Sequence, residues 1–192
     1  MEVLDKYDHV EIKKVEGQAT PTYSVVVPKL TPEEKKTLDN YKKVIPPSEI
    51  ELLRGEPDVS ARWEMLKEKI KKKVPDSKNK DFVIKKLVGL ALGYGEIGLL
   101  IDDDNLEEIM INGIGVPVYV FHRKHSMCKT NIAFATTDAI NQVIYDLCYI
   151  NKKEKKEIID IASIDGNRIN ITAEPLPSKG STITIRKQRR EV

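Results

Sequence analysis

Cysteine is nearly absent from this chain. Cys128 and Cys148 are the only two among 192 residues. The surroundings are rich in Lys and Glu and carry no secretory features, which excludes a disulfide scaffold and points to a reducing, cytoplasmic setting with free thiols. No stretch approaches the ~18 consecutive apolar residues of a membrane span. Met1 to His9 is polar and mixed in charge, unlike a secretory signal. Aromatic residues make up 6%, and no RNA-binding aromatic motif accompanies the basic runs, so nucleic acid is not an expected partner. Ten Gly and ten Pro are too few for a fibrous or low-complexity chain. Charge of one sign is also missing, since Lys+Arg 32 against Asp+Glu 30 leaves +2. What remains is a soluble globular composition, 40% apolar and 32% charged, with a mean hydropathy of −0.39. The length suits one domain or two small ones.

Residues 1–29 read as an extended arm, with strand-like runs at Val10, Ile12 and Val15 and from Tyr23 to Val27, and Glu16-Gly17 between them. Thr31 has the chemistry of an N-cap, with Pro32 at the first helical position and Glu33 and Glu34 behind it. That helix should run to about Val44 and stop before Pro46-Pro47. Val59, Trp63, Leu66, Ile70 and Val74 mark one face of a second helix, ended by Pro75. Phe82, Leu87, Leu90 and Ala91 carry a third towards Gly93 and Gly95. Residues 30–95 are therefore expected to form a helical subdomain.

The pattern changes after Gly95. Ile109 to Asn112 and Pro117 to Phe121 are nearly all apolar and read as central strands, with Lys129 to Phe134 as a third. Asp138 can cap a helix buried through Ile140, Val143, Ile144 and Leu147. A lysine-rich helix is expected from Lys153 to Ala162. Two alternating runs follow, Arg168 to Thr172 and Thr182 to Arg186. Residues 96–192 are thus expected to be an α+β unit with a mainly antiparallel sheet and flanking helices.

The last two runs support a positional argument. Ile169 and Ile171, and Ile183 and Ile185, must share the buried face. Antiparallel pairing across 174–180 then sets residue 169 against 185 and 171 against 183. Arg168 falls opposite Arg186 on the other face. Two facing arginines repel unless solvated or bridged by an anion. They are either solvated surface residues or a shared clamp for phosphate or carboxylate, groups that guanidinium forks suit.

Other fragments carry less. Gly93-Tyr94-Gly95-Glu96-Ile97-Gly98 satisfies G-x-G-x-x-G, but a helix rather than a strand precedes it, so the glycines end a helix and turn the chain. Lys179-Gly180-Ser181-Thr182 has the wrong order for a phosphate loop and reads as a hairpin loop. His122, His125 and Cys128 have a zinc-like spacing, yet on one strand the two histidines would face opposite ways, so surface polar residues are the better account. The run from Asp102 to Glu108 has Leu at 106 and fails the calcium loop. No catalytic centre and no metal site are expected. Charge is segregated locally: Ser60 to Leu90 holds ten Lys/Arg and four Asp/Glu, and Ala91 to Asn112 holds six Asp/Glu and no Lys/Arg. Solvated helix faces account for this, as would contact between subunits or with anionic lipid.

One longer pattern is more specific. Tyr94 to Asp102, then Leu106-Glu107-Glu108-Ile109-Met110-Ile111-Asn112-Gly113, resembles the second N-terminal domain of secretion-superfamily ATPases. These are the hexameric motors of type II and type IV secretion, type IV pili and the archaellum. Val118 to Lys124, Lys129 to Ile132, Asp165-Gly166-Asn167-Arg168-Ile169, Pro175 to Gly180 and Thr184-Ile185-Arg186-Lys187 continue the likeness. It covers about residues 94–188, and residues 20–93 match more loosely. The His122 to Cys128 region resembles most the archaellum motor ATPases of methanogenic archaea.

The resemblance implies a helical subdomain followed by a PAS-like sheet domain, then a RecA-like motor domain that lies beyond this sequence. It implies ATP and Mg2+ as cofactors of the full-length enzyme, with none expected for the fragment, which lacks the phosphate loop and should be inactive alone. Arg186 matches the family position that reaches over the nucleotide phosphates, with Arg168 its nearest companion and Lys187 beside it. Some relatives carry the second arginine further along the preceding strand, where this chain has Thr172. Implied partners are the chain's own motor domain, further copies in a hexamer, a membrane platform protein with other archaellum components, and an anionic membrane surface. The implied location is cytoplasmic, peripheral to the inner face of the membrane. The alternative is a free-standing PAS-like ligand- or protein-binding module without ATPase activity.

Overall fold

A computed structural model describes residues 1–173 and 180–188. The chain starts with three strands, β1 (Glu2–Tyr7), β2 (Val10–Lys14) and β3 (Thr22–Val25), and passes into helices α1 (Pro32–Asp39), α2 (Tyr41–Val44), α3 (Pro47–Leu52), α4 (Ala61–Lys71), α5 (Lys80–Ala91) and α6 (Gly98–Asp102). Strands β4 (Leu106–Asn112), β5 (Pro117–His122) and β6 (Ser126–Ala133) follow, then α7 (Thr137–Ile150) and strands β7 (Ile158–Ala162), β8 (Arg168–Thr172) and β9 (Thr182–Arg186). Among the described residues, nine strands form one sheet in the order β1-β2-β3-β6-β5-β4-β9-β8-β7. Among the described residues only β3 and β6 run parallel, so the fold is α+β around a mainly antiparallel sheet.

Alternation decides which face is covered. Ile159, Ile161, Ile169, Ile171, Ile183 and Ile185 are buried, and they join Ile109, Ile111, Val118 and Val120 of the central strands in one core. That core also takes in Ile140, Val143, Ile144 and Leu147 of α7, and Trp63, Leu66, Ile70, Leu87 and Val88 of α4 and α5. The opposite face of β8 and β9 is left to Arg168, Asn170, Thr172, Thr182, Thr184 and Arg186. Helices α5 and α6 meet backbone to backbone. A Cβ on Gly89 would lie 2.5 Å from Gly98 Cα, too close for any side chain.

Several local expectations hold. Thr31 caps α1 in a full capping box with Glu34, behind Pro32. Arg168 pairs with Arg186, Ile169 with Ile185 and Ile171 with Ile183, the register that alternation requires. The glycines at 93 and 95 turn the chain with φ of 90° and 56° after α5. Other expectations are corrected. The first helix breaks at Asn40, and Tyr41–Val44 is the separate short helix α2. Thr136 caps α7, accepting from the Ala139 amide, while Asp138 sits in the first turn. No helix spans Lys153 to Ala162. Residues 158–162 are strand β7, where Ile159 and Ile161 are buried and Ile158, Asp160 and Ala162 are exposed, a period of two that the lysines before it obscure. Residues 174–179, which include Lys179 of the expected hairpin loop, lie outside the described residues.

Candidate functional site

The arginine pair sits where three strands meet on the uncovered face. Register places Glu108 of β4 beside Arg186 of β9, and Arg186 beside Arg168 of β8. Arg168 Nη2 donates to Asp160 Oδ2 at 2.9 Å, and Arg186 Nε lies 4.0 Å from Glu108 Oε1. Each cation therefore has a carboxylate on its outer side, which relieves the repulsion across the pair. Both side chains stay open, 63% exposed for Arg168 and 74% for Arg186. The longer contact leaves Arg186 the more available of the two. Strand alternation turns Lys187 away from them. Its ammonium donates to the Asp103 carbonyl and its amide to Glu107 O at 2.9 Å.

What holds the two arginines in place is a buried polar cluster that the sequence reading missed. Tyr94 donates to Asp165, with its oxygen 2.8 and 3.0 Å from the two carboxylate oxygens. Ser163 Oγ donates to Asp165 Oδ1 at 2.7 Å. Asn167 Nδ2 donates to the Tyr94 oxygen at 3.0 Å and its amide donates to Ser163 Oγ at 2.8 Å. Asn167 Oδ1 accepts from the Gln188 amide at 3.1 Å. Asn167 immediately precedes Arg168, and Gln188 follows Arg186 by two residues, so one amide side chain ties the start of β8 to the end of β9. Gly166 makes the turn with φ of 92°. Burial, followed by the Asp165 charge, drives the Tyr94 phenol well above its usual pKa, so it acts as a donor at any working pH. The signal in the sequence was Tyr94-Gly95 and Asp165-Gly166-Asn167, two fragments about seventy residues apart with nothing local to join them.

A second polar cluster fastens the first strands. Tyr7 and Tyr23 each donate to Asp103 Oδ2 at 2.6 Å, and the Tyr7 oxygen lies 3.0 Å from His122 Nε2. His122 Nδ1 accepts from the amides of Lys124 and His125, at 3.0 and 3.2 Å. That leaves Nε2 to carry the proton of the neutral ring, pointed at Tyr7. Burial lowers the His122 pKa and keeps the ring neutral. His125 Nε2 lies 3.0 Å from Asp5. The two histidines do not face opposite ways, as one strand would require. Residues 123–125 form the β5–β6 turn and bring the rings to 4.8 Å. Cys128 is buried, its thiol pushed up to about 11 by burial. Among the described residues no group of three His, Cys, Asp or Glu is placed to hold a metal ion.

Two features thus define the molecule: a mainly antiparallel open sheet with one helix-covered face, and a clamped arginine pair on the other. No protein-family model matches the sequence. The uncharacterized protein MJ1288 of Methanocaldococcus jannaschii is 35% identical over 180 residues, covering 89% of this chain and 68% of that protein. This chain belongs to the same family as MJ1288. The uncharacterized protein MJ0781 of the same organism is 43% identical over 101 residues, half of this chain but 14% of that protein's length. Among solved structures, the VirB11 ATPase of the Brucella suis type IV secretion system, crystallised with sulphate, aligns over 46% of this chain and 27% of its own, with 17% identity and a TM-score of 0.39. Among the described residues no helix is long and apolar enough to cross a membrane.

Proposed function

We propose that this chain is the N-terminal part of a cytoplasmic hexameric secretion-superfamily ATPase that powers archaellum or type IV pilus-like assembly and motion. In this reading its PAS-like sheet domain closes over ATP held by a RecA-like motor domain encoded after it. The observation that carries the reading is the arginine pair: two open guanidiniums side by side, at the end of β8 and β9 that the Asn167 amide ties together. Such forks fit phosphate oxygens, and cations beside a developing phosphate charge gain most where water is excluded.

Arg186 is the principal phosphate contact, because its 4.0 Å approach to Glu108 is the weaker hold. Arg168 joins by exchanging Asp160 for phosphate, and Lys187 only by giving up the Asp103 carbonyl. In this reading ATP and Mg2+ are held by the motor domain. Other copies of the chain, a membrane platform protein and an anionic membrane surface complete the proposed partners.

Reading the gene beyond codon 192 is the simplest test. An in-frame G-x-x-x-x-G-K-[ST] loop is expected; a stop codon there leaves a PAS-like binding module instead. The purified 192-residue chain should turn over no ATP, and measurable turnover would contradict the reading.

A further inference from the structure

Away from the arginine pair, a cleft of about 270 Å³ opens between α2, α3, the end of α5 and α7. Its base is apolar, formed by Ile45, Ile50, Leu90 and Ala91. Its rim carries Tyr145 and Tyr149, one helical turn apart, 58% and 62% exposed, with ring planes 10° apart and centroids 6.3 Å apart. Two large rings held in parallel at the surface are costly to expose, and nothing in the fold requires them there. Between them in sequence, Asp146 lines the same cleft, its charge felt by Lys42 and Tyr41 of the facing wall. Gln142 Nε2 donates to Asp146 Oδ1 at 2.9 Å, and a carboxylate has room for more donors than that one. Burial raises the Asp146 pKa, and burial followed by the Asp146 charge raises that of Tyr41. Lys42 already lies in the cleft with its ammonium 6.0 Å from the Tyr41 ring centroid, so the wall accepts a cation.

We propose that this cleft binds an organic cation, a guanidinium or primary ammonium on an apolar stem, with Asp146 as counter-ion and the tyrosine rings packed on the stem and the charge. Ring faces attract such cations, and a carboxylate at the end of an apolar wall selects them over neutral isosteres. The ligand is either a free amine or guanidine, or the Arg or Lys side chain of a partner protein. Lys42 is a resident competitor that an incoming cation displaces.

Titration calorimetry and NMR of the 192-residue chain with n-butylguanidinium, 1-pentanol and an acetyl-Gly-Arg-Gly-amide peptide test this. Butylguanidinium should move the Tyr145 and Tyr149 ring signals and bind about tenfold more tightly than pentanol. Asp146→Asn should weaken it by about tenfold, while Lys42→Ala, a surface change that leaves the fold alone, should strengthen it. A peptide that binds more tightly than the free cation supports a partner side chain as the source; a weaker peptide supports a free amine or guanidine. Equal affinity for pentanol, an Asp146→Asn variant that binds like the wild type, or weaker binding by Lys42→Ala would overturn the proposal.

Discussion

The two polar clusters do similar work by different means. The cluster around Asp165 is buried and links groups within a few residues of one turn to a single distant tyrosine. The cluster around Asp103 gathers Tyr7, Tyr23 and His122 from three separate strands and is partly open to solvent. The first locks a hairpin whose pairing alternation already specifies. The second helps join the first three strands to the rest of the sheet, where β3 meets β6 through two parallel register pairs and the Asn131 side chain bonds the Val25 backbone. Where local pattern is strong, buried polar groups refine position; where it is weak, they decide attachment.

Breaking each cluster separates these roles. Asp165→Ala leaves Tyr94, Ser163 and Asn167 without their shared acceptor in the interior and should cost about 3 kcal/mol, measured by chemical denaturation. Asp103→Ala should cost less in global stability, about 1–2 kcal/mol. Its distinctive effect should be faster amide exchange confined to residues 2–25, and uniform exchange over the whole sheet would contradict the attachment role.

His122 adds a pH dependence to the second cluster alone. Its folded pKa is depressed below the ordinary 6.5 by burial, so the unfolded chain takes up the proton first. Stability should therefore fall as pH drops below about 6.5, and the loss should be complete once pH passes the lower folded value. His122→Gln should flatten that slope, whereas Tyr94→Phe should leave it unchanged. The smallest effect on stability is expected at the arginines, where Arg168→Ala and Arg186→Ala should each move the unfolding free energy by no more than about 0.5 kcal/mol.

Much of the fold around the arginines was legible. The Ile-x-Ile repeats at 169–171 and 183–185 admit one buried face and one symmetric pairing, and that alone puts Arg168 against Arg186. The apolar face of α7 and the capping box at Thr31 were readable for the same reason, since each is set within a few residues. Strand β7 was not, because lysines at 152, 153, 155 and 156 hide a short alternation behind a helix-like composition. The β3–β6 parallel pair was not, since nothing in Thr22 to Val25 names a partner a hundred residues on. Asp160 and Glu108 beside the arginines escaped notice because one lies on the misread strand and the other on a strand whose partner was unknown.

The clamped arginines either contact phosphate or simply stand in water. The most direct measurement is ATP turnover by the chain joined to the motor domain proposed to follow it, comparing wild type with Arg186→Ala and following thermal unfolding alongside. The account predicts a fall of about a hundredfold in turnover with the melting temperature changed by less than about 2 °C. Unchanged turnover in a folded Arg186→Ala enzyme would contradict it.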